Sequence, residues 1–567
     1  MKRILSIALL LAGTTYGQTA LFIPPAISGT TFNLNIQTGT RTFFSGYTTP
    51  TYGVNGSFLA PTLILNKLDS VTLNVTNSLP VATTIHWHGM HVSPQNDGGP
   101  GQLIAPSTTW SPSFKVLNDA GTYWYHPHGA GKTDLHVSKG IAGMIIVKDA
   151  AEAALTLPRT YGVDDIPLIV QSKAFDVLRQ IAIATEDDTL LMVNGTVDPY
   201  LNAPAQVVRF RILNGSSMRS YMFGFSGSMP FKLIATDGGL LDTPVTLTRI
   251  RLSPGERAEV LLNLTGMVGA TVYFKNYGSE LPNGIYGADT VGTDTAFIPG
   301  YSANPLNGAD YNIMKINVTA STGGAVTTIP ATLGTLAPWP LSAVDTTRTF
   351  NLSPATADSS TFAEGPFVIN GHHFAMDTIN VVTYLNRTEI WKLVNHTLVA
   401  HPFHIHDVPF YIVDINGVPP PPYERGRKDV VLVMPGDSVR FITKFETFAD
   451  ASIPYMYHCH LLHHEDDGMM GQFLVLPGPA GISDATKKQE VQLSPNPATD
   501  ILTLTSELFL SGSFSVKVYS LLGTEVAIPM EHSEDKLRIR TGSLQTGLYV
   551  MKIFSNNNVY VHKFEKL

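Results

Sequence analysis

The feature that most limits what this chain can fold into is a punctuation mark used three times. Asn55-Gly56 is followed after about twenty residues by Val75-Thr76-Asn77. Asn194-Gly195 is followed in the same way by Ile212-Leu213-Asn214, and Asn370-Gly371 by Leu393-Val394-Asn395. Asn and Gly both tolerate positive φ, so each pair suits a tight turn between strands. A second mark, Pro254-Gly255-Glu256 and Pro435-Gly436-Asp437, precedes a strand in the second and third copies. Between the marks run alternating stretches rich in Thr and Val, such as Ser70-Val71-Thr72-Leu73-Asn74-Val75. Their period of two turns one face inward. Copies of about 150 residues built from short strands and Gly/Pro turns predict Greek-key sandwiches or barrels. The boundaries fall near residue 150 and within 330–345, and the Ala/Thr/Gly-rich residues 319–335 fit an interdomain segment.

The first 17 residues read as a secretory signal. Lys2 and Arg3 give a positive start, residues 4–12 are apolar, and Thr15-Tyr16-Gly17 offers small residues for cleavage before Gln18. The apolar run is too short to span a bilayer. No later stretch is apolar for long enough to do so, which predicts a soluble mature protein. A net charge of −8 without Lys/Arg clusters argues against nucleic acid as a partner. The chain has a single cysteine, so no disulfide can form within it. Stability must then come from the β cores and from bound metal.

That cysteine lies in Tyr457-His458-Cys459-His460-Leu461-Leu462-His463-His464-Glu465, with Met469 and Met470 close behind. Thiolate, imidazole and thioether together are the donor set of a copper ion cycling between Cu(I) and Cu(II). Three further histidine clusters exist: His86-Trp87-His88-Gly89, His126-Pro127-His128, and His401-Pro402-Phe403-His404-Ile405-His406. Two clusters sit in the first copy and two in the third. The second copy has Gly215-Ser216-Ser217 where ligands would be expected, and reads as a spacer. On a strand, residues i and i+2 share a face. His86/His88, His126/His128, His458/His460 and, if extended, His404/His406 each offer two imidazoles to one side, enough in all for a three-copper cluster. Cys459 points to the opposite face, where His401, His464 and axial Met469 would complete a separate copper site. The backbone through His458 and His460 joins the two.

These motifs, with Asp97-Gly98-Gly99-Pro100, resemble the multicopper oxidases. The likeness is strongest to the three-domain bacterial type that includes copper-efflux oxidases, spore-coat laccases and bilirubin oxidases. The resemblance implies an all-β fold of three cupredoxin-like Greek-key β-sandwich domains and four copper ions. It makes His401, Cys459, His464 and Met469 the type 1 site, and His86 and His404 the type 2 ligands. His88, His126 and His460 match one type 3 copper, and His128, His406 and His458 the other. Asp97 and Glu465 match acids that relay protons to dioxygen; a turn aspartate and a histidine-orienting carboxylate are the plainer readings. His91, His136, His372, His373 and His396 read as surface or supporting histidines. His463 could lie at the substrate edge.

After Pro477-Gly478-Pro479-Ala480-Gly481 the texture changes. The last segment starts Pro495-Asn496-Pro497-Ala498-Thr499-Asp500, carries a Leu522-Gly523 turn and Gly547-Leu548-Tyr549, and ends Lys563-Phe564-Glu565-Lys566-Leu567. It resembles the C-terminal sorting domain of the type IX secretion system, and could otherwise be an adhesion or spacer module. The expected organisation is therefore a signal peptide at 1–17 and cupredoxin domains at 18–150, 151–335 and 336–478. A linker at 479–490 and the sorting domain at 491–567 follow. The implied protein is secreted or surface-bound by way of the periplasm, monomeric, and a partner of the type IX machinery. It would oxidise phenols, aryl amines or tetrapyrroles by single electrons while reducing O2 to water. The segment 346–399 holds only Met376, which disfavours a specialised cuprous-ion oxidase. Copper nitrite reduction, copper storage and a division-type scaffold are the remaining alternatives.

Overall fold

The computed structural model describes residues 18–358, 361–478, 491–511, 514–520, 524–555 and 558–567. The expected signal peptide, the linker and the Leu522-Gly523 turn lie outside the described residues. The chain divides into two compact units, Met1–Pro477 and Gly478–Leu567.

The first unit holds three β-sandwiches in series. In the first, strands Ala26–Ser28, Thr62–Asn66, Gly143–Lys148 and Gly121–Tyr125 form one sheet, in that order. Strands Tyr47–Val54, Thr31–Phe44, Ser70–Asn77 and Thr109–Trp110 form the other, with Ser113–Lys115 also pairing to Ser70–Asn77. The third sandwich repeats the plan. Val381–Tyr384, Met470–Leu476, Tyr455–Cys459, His401–Ile405 and Val430–Val433 face Phe367–Ile369, Thr346–Pro354, Thr388–Asn395, Ser438–Lys444 and Phe410–Ile415. The middle sandwich is larger, with a six-stranded and an eight-stranded sheet among the described residues. Its six-stranded sheet begins with Thr19–Ala20, which pairs in parallel with Pro199–Pro204. Residues 19–20 thus lie against the middle sandwich before the first is built.

The repeated Asn-Gly and Asn marks do the same work in every copy. Asn55, Asn194 and Asn370 all adopt positive φ. Each uses its side-chain oxygen to accept the amide of a facing residue, namely Asn35, Ile169 and Asn351. Asn77, Asn214 and Asn395 are buried, and each donates from its amide to two carbonyls of the segments beyond. An unpaired buried amide is costly, so this staple fixes where each strand ends. Alternation is equally legible: Val71, Leu73 and Val75 all point into the first core, beside Phe32, Leu34 and Leu63. Burying side chains of this kind contributes about 1.5–3 kcal/mol each.

The second unit is a small sandwich of two four-stranded sheets around Leu502, Leu504, Val518, Ile539, Met551 and Phe564. Asn496 accepts the amide of Glu565, and the Ala498 amide donates to the Glu565 carbonyl, so its Pro-Asn-Pro-Ala opening is pinned to the final strand.

Candidate metal centre

The four histidine clusters converge between the first and third sandwiches. His86 and His126 lie opposite each other, exchanging backbone hydrogen bonds of 2.8 and 3.1 Å. Strand His401–Ile405 runs antiparallel to Tyr455–Cys459, which places His404 against His458 and Phe403 against Cys459. His406 falls just beyond that strand. Its ring stacks on His86 at 3.8 Å, and the His88 ring stacks on His404 at the same separation.

Ligand-capable atoms gather in groups of three within 4.8 Å: His88, His126 and His460; His128, His406 and His458; and His86, His404 and His406. The nitrogens point at one another. His88 Nδ1 and His126 Nε2 are 3.4 Å apart, and His128 Nε2 lies 3.1 Å from His458 Nε2 and 3.2 Å from His406 Nε2. A metal ion bonded at about 2 Å to several nitrogens would hold them at about this spacing. His86 Nε2, His404 Nε2 and both nitrogens of His460 are buried without a hydrogen-bond partner. Burial and mutual proximity hold His88, His126, His128, His404 and His458 neutral far below the usual imidazole range. Burial brings His460 to about 3, and burial with His86 brings His406 to about 4. Converging buried imidazole nitrogens, held neutral and several of them without a partner, fit bound cations.

On the other face of the same strand, Cys459, His401 and His464 form a further group. Cys459 Sγ lies 3.5 Å from His401 Nδ1 and 3.7 Å from His464 Nδ1. Met469 is fully buried, and its carbonyl accepts the Cys459 amide. Burial pushes the Cys459 thiol well up, so a thiolate there requires a cation at the sulfur.

Two aspartates brace the imidazoles in a near-symmetric way. The Asp97 carbonyl bonds His86 Nδ1 at 2.9 Å, and its carboxylate bonds His406 Nδ1 at 2.8 Å. The Asp429 carbonyl bonds His404 Nδ1 at 2.7 Å, and its carboxylate meets His88 Nε2 at 3.1 Å. Each aspartate thus touches one histidine from each sandwich. Asp97 was legible from its motif, whereas Asp429, a lone acid before Val430–Val433, carried no signal. Glu465 lies 3.2 Å from His458 Nδ1 and 3.6 Å from His128 Nδ1, and accepts from the Thr133 hydroxyl at 2.7 Å. Burial, reinforced by Asp466, pushes its carboxyl well above the usual range. Burial opposes ionisation of Asp97 too, but His406 and His86 outweigh it and hold that carboxyl low. The two acids are therefore set for opposite protonation states.

The middle sandwich does more than space the others. Arg257 donates to both Asp429 oxygens at 2.6 Å and to the Thr122 carbonyl of the first sandwich at 3.1 Å. Gly255, at φ +87°, lies where any Cβ would come within 3.0 Å of the His460 ring. The Pro254-Gly255-Glu256 mark is thus both a turn and a close fit against a candidate ligand. His91 pairs with Asp407 at 2.7 Å, and His136 bonds Thr83, both supporting contacts.

Family models described as multicopper oxidase match residues 35–152, 187–295 and 343–479. The chain belongs to the multicopper oxidase family. One described as a secretion system C-terminal sorting domain matches residues 492–566. The oxidase is 31% identical over 455 residues to a multicopper oxidase of Staphylococcus haemolyticus, spanning 78% of this chain and 88% of that protein. It is 31% identical over 483 residues to the cell division protein FtsP of Sodalis glossinidius, spanning 82% and 93%. Among solved structures, the laccase-like multi-copper oxidase CueO of Ochrobactrum sp. aligns with a TM-score of 0.71 at 33% identity, over 80% of this chain and all of that one. That enzyme is described as active towards lignin model compounds and lignosulfonate. The sandwiches are accordingly cupredoxin-like, and the chain is an oxidoreductase whose family binds copper and uses O2 and a reducing substrate. The sorting-domain match points to secretion or the cell surface.

Proposed function

We propose that the chain is a secreted, laccase-like oxidase that takes single electrons from phenols, aryl amines or tetrapyrroles and reduces O2 to water. It would hold four copper ions. His401, Cys459, His464 and Met469 would carry one, and His86 with His404 a second. His88, His126 and His460 would hold a third, and His128, His406 and His458 the fourth. Bound copper would supply the one-electron redox chemistry and the place where O2 is reduced. The chain's own residues do the rest. Cys459 joins the two donor groups through its backbone to His458 and His460. Asp97 and Asp429 fix imidazole orientation from behind. Glu465, between His128 and His458, is placed to hold a proton of the four that O2 reduction consumes. One chain carries both ligand-bearing sandwiches, which supports a monomer. The sorting unit supports a route through the periplasm and then the type IX machinery.

The observation that carries this reading is the convergence of three imidazole groups on one face of the His458-Cys459-His460 strand and a thiol group on the other. A scaffold would not need so complete a donor set. Oxygen uptake by copper-loaded protein with 2,6-dimethoxyphenol tests it. Bound copper without oxygen consumption would instead indicate storage. A second reading, oxidation of metal ions such as Cu(I), is favoured by one observation: His464 is only 2% exposed, leaving little imidazole edge for an organic donor to touch. Comparing Cu(I), dimethoxyphenol and bilirubin by kcat/KM on one preparation separates the two.

A further inference from the structure

The side chain that covers His464 comes from the middle sandwich. His464 Nδ1 faces Cys459, so Nε2 is the edge turned away from the thiol. The Tyr286 hydroxyl lies 3.4 Å from that Nε2, with the two rings 5.8 Å apart at 67°. Phe367 closes a second side at 4.7 Å. We infer that Tyr286 is a specificity-determining gate, which slows but does not abolish electron transfer from phenol-sized donors by holding them off the His464 edge, and so sets which reductants the oxidase uses efficiently. The inference rests on the proposed copper site at Cys459 and His464.

The gate is built into the core. Tyr286, Val291, Ile298 and Met218 of the middle sandwich share one apolar cluster with Cys459 and Met469 of the third. The Tyr286 carbonyl accepts the Ser220 amide at 2.8 Å. Next to it, the Gly287 amide donates to the Tyr301 hydroxyl at 2.9 Å, and that hydroxyl donates to the Ala288 carbonyl at 2.7 Å. Gly287 sits at φ +107°, where a Cβ would come within 2.6 Å of the Ser220 carbonyl. Tyr286 itself lines a cavity of about 10 Å³, together with Glu186, Asp188, Met218 and Tyr301. That is the space of about one water, far below what a phenol ring needs. Electron exchange weakens steeply with separation, so a donor held off by a whole ring reacts slowly. A phenol that did reach the edge would lose one electron to the site and its proton to solvent. Four such losses balance one O2 taken to two waters.

The test uses the copper-loaded full chain as wild type, Tyr286→Phe, Tyr286→Leu and Tyr286→Ala. The first readout is the ratio of kcat/KM for 2,6-dimethoxyphenol to that for ferrocyanide, an outer-sphere donor. The ratio rises about tenfold or more in Tyr286→Ala, less in Tyr286→Leu, and stays near wild type in Tyr286→Phe, which keeps the ring. The second is the midpoint potential of the visible copper band in a redox titration. With Nδ1 on the proposed copper, Nε2 carries the imidazole proton and would donate to the tyrosine oxygen, which favours the oxidised site, so Tyr286→Phe raises the midpoint. If Tyr286→Ala fails to fold, Tyr286→Leu gives the same answer. An unchanged ratio in a blue, folded truncation overturns the gate, as does Tyr286→Phe matching Tyr286→Ala. A midpoint that no variant moves also counts against it. A wild type that is neither blue nor active with either donor overturns the oxidase reading itself, and the gate with it.

Discussion

Cys459 and Glu465 concentrate the chemistry in single atoms. Buried in a metal-free chain, the Cys459 thiol resists ionisation, so the blue charge-transfer colour expected of the proposed copper site would depend on copper meeting this sulfur. Cys459→Ser should abolish the blue absorption and turnover while most of the copper held by the imidazole groups remains. Metal analysis with absorption spectroscopy checks this, and a mutant that stays blue refutes the assignment. Glu465 is the carboxyl between His128 and His458, with Thr133 as its other partner. Glu465→Gln keeps the shape and removes the acidic proton, so O2 reduction should slow by about a hundredfold or more. Anaerobic bleaching of the blue band by substrate should be nearly unaffected. Oxygen-limited turnover equal to wild type would leave Glu465 as a histidine-orienting group only.

Secondary-structure elements convert sequence spacing into site geometry. The His-x-His pairs read as strand pairs, but of their members only His404 and His458 lie within strands; His86 and His126 meet at an isolated bridge, and His88, His128, His406 and His460 fall outside the strands. At the end of its strand, His458-Cys459-His460 still sends two imidazoles to one side and the thiol to the other. The short helices Thr133–Ser138 and Leu462–Asp466 were not readable, having too few residues for a period to show. They join the first sandwich to the third. Asp466 accepts the Thr133 and Asp134 amides at 2.9 Å each, filling the role of an N-cap from another part of the chain. Asp466→Ala leaves two amides without that partner and should cost about 0.5–2 kcal/mol. A lowered denaturation midpoint at unchanged m reads it out. No change in midpoint would mean that solvent replaces the carboxylate without loss.

At the scale of the whole molecule, the cost of gathering so many imidazoles is paid when metal is absent. Unfolded, each titrates near its ordinary value of about 6.5; in the folded metal-free chain, burial and neighbouring imidazoles keep His88, His126, His128, His404, His458 and His464 neutral well below it. The unfolded state therefore binds more protons once the pH drops below that value. Stability present above it is lost on acidification, down towards the folded values of about 3 for His401 and His460 and about 4 for His406. Each proton taken up only on unfolding adds a slope of about 1.4 kcal/mol per pH unit. The Tm of metal-free protein should fall steeply between pH 7 and 5, and a flat profile would argue against neutral buried imidazoles. What the sequence determined by itself was everything carried by local pattern: β alternation, the three turn-and-staple marks, the donor types and their spacing. Those follow from backbone geometry within a few residues. The tertiary structure decided what depends on segments hundreds of residues apart. It brought Asp429 to His88, clamped Asp429 with Arg257, fitted Gly255 against His460 and laid Tyr286 over His464. No local period encodes such contacts, because each arises only where one sandwich packs against another.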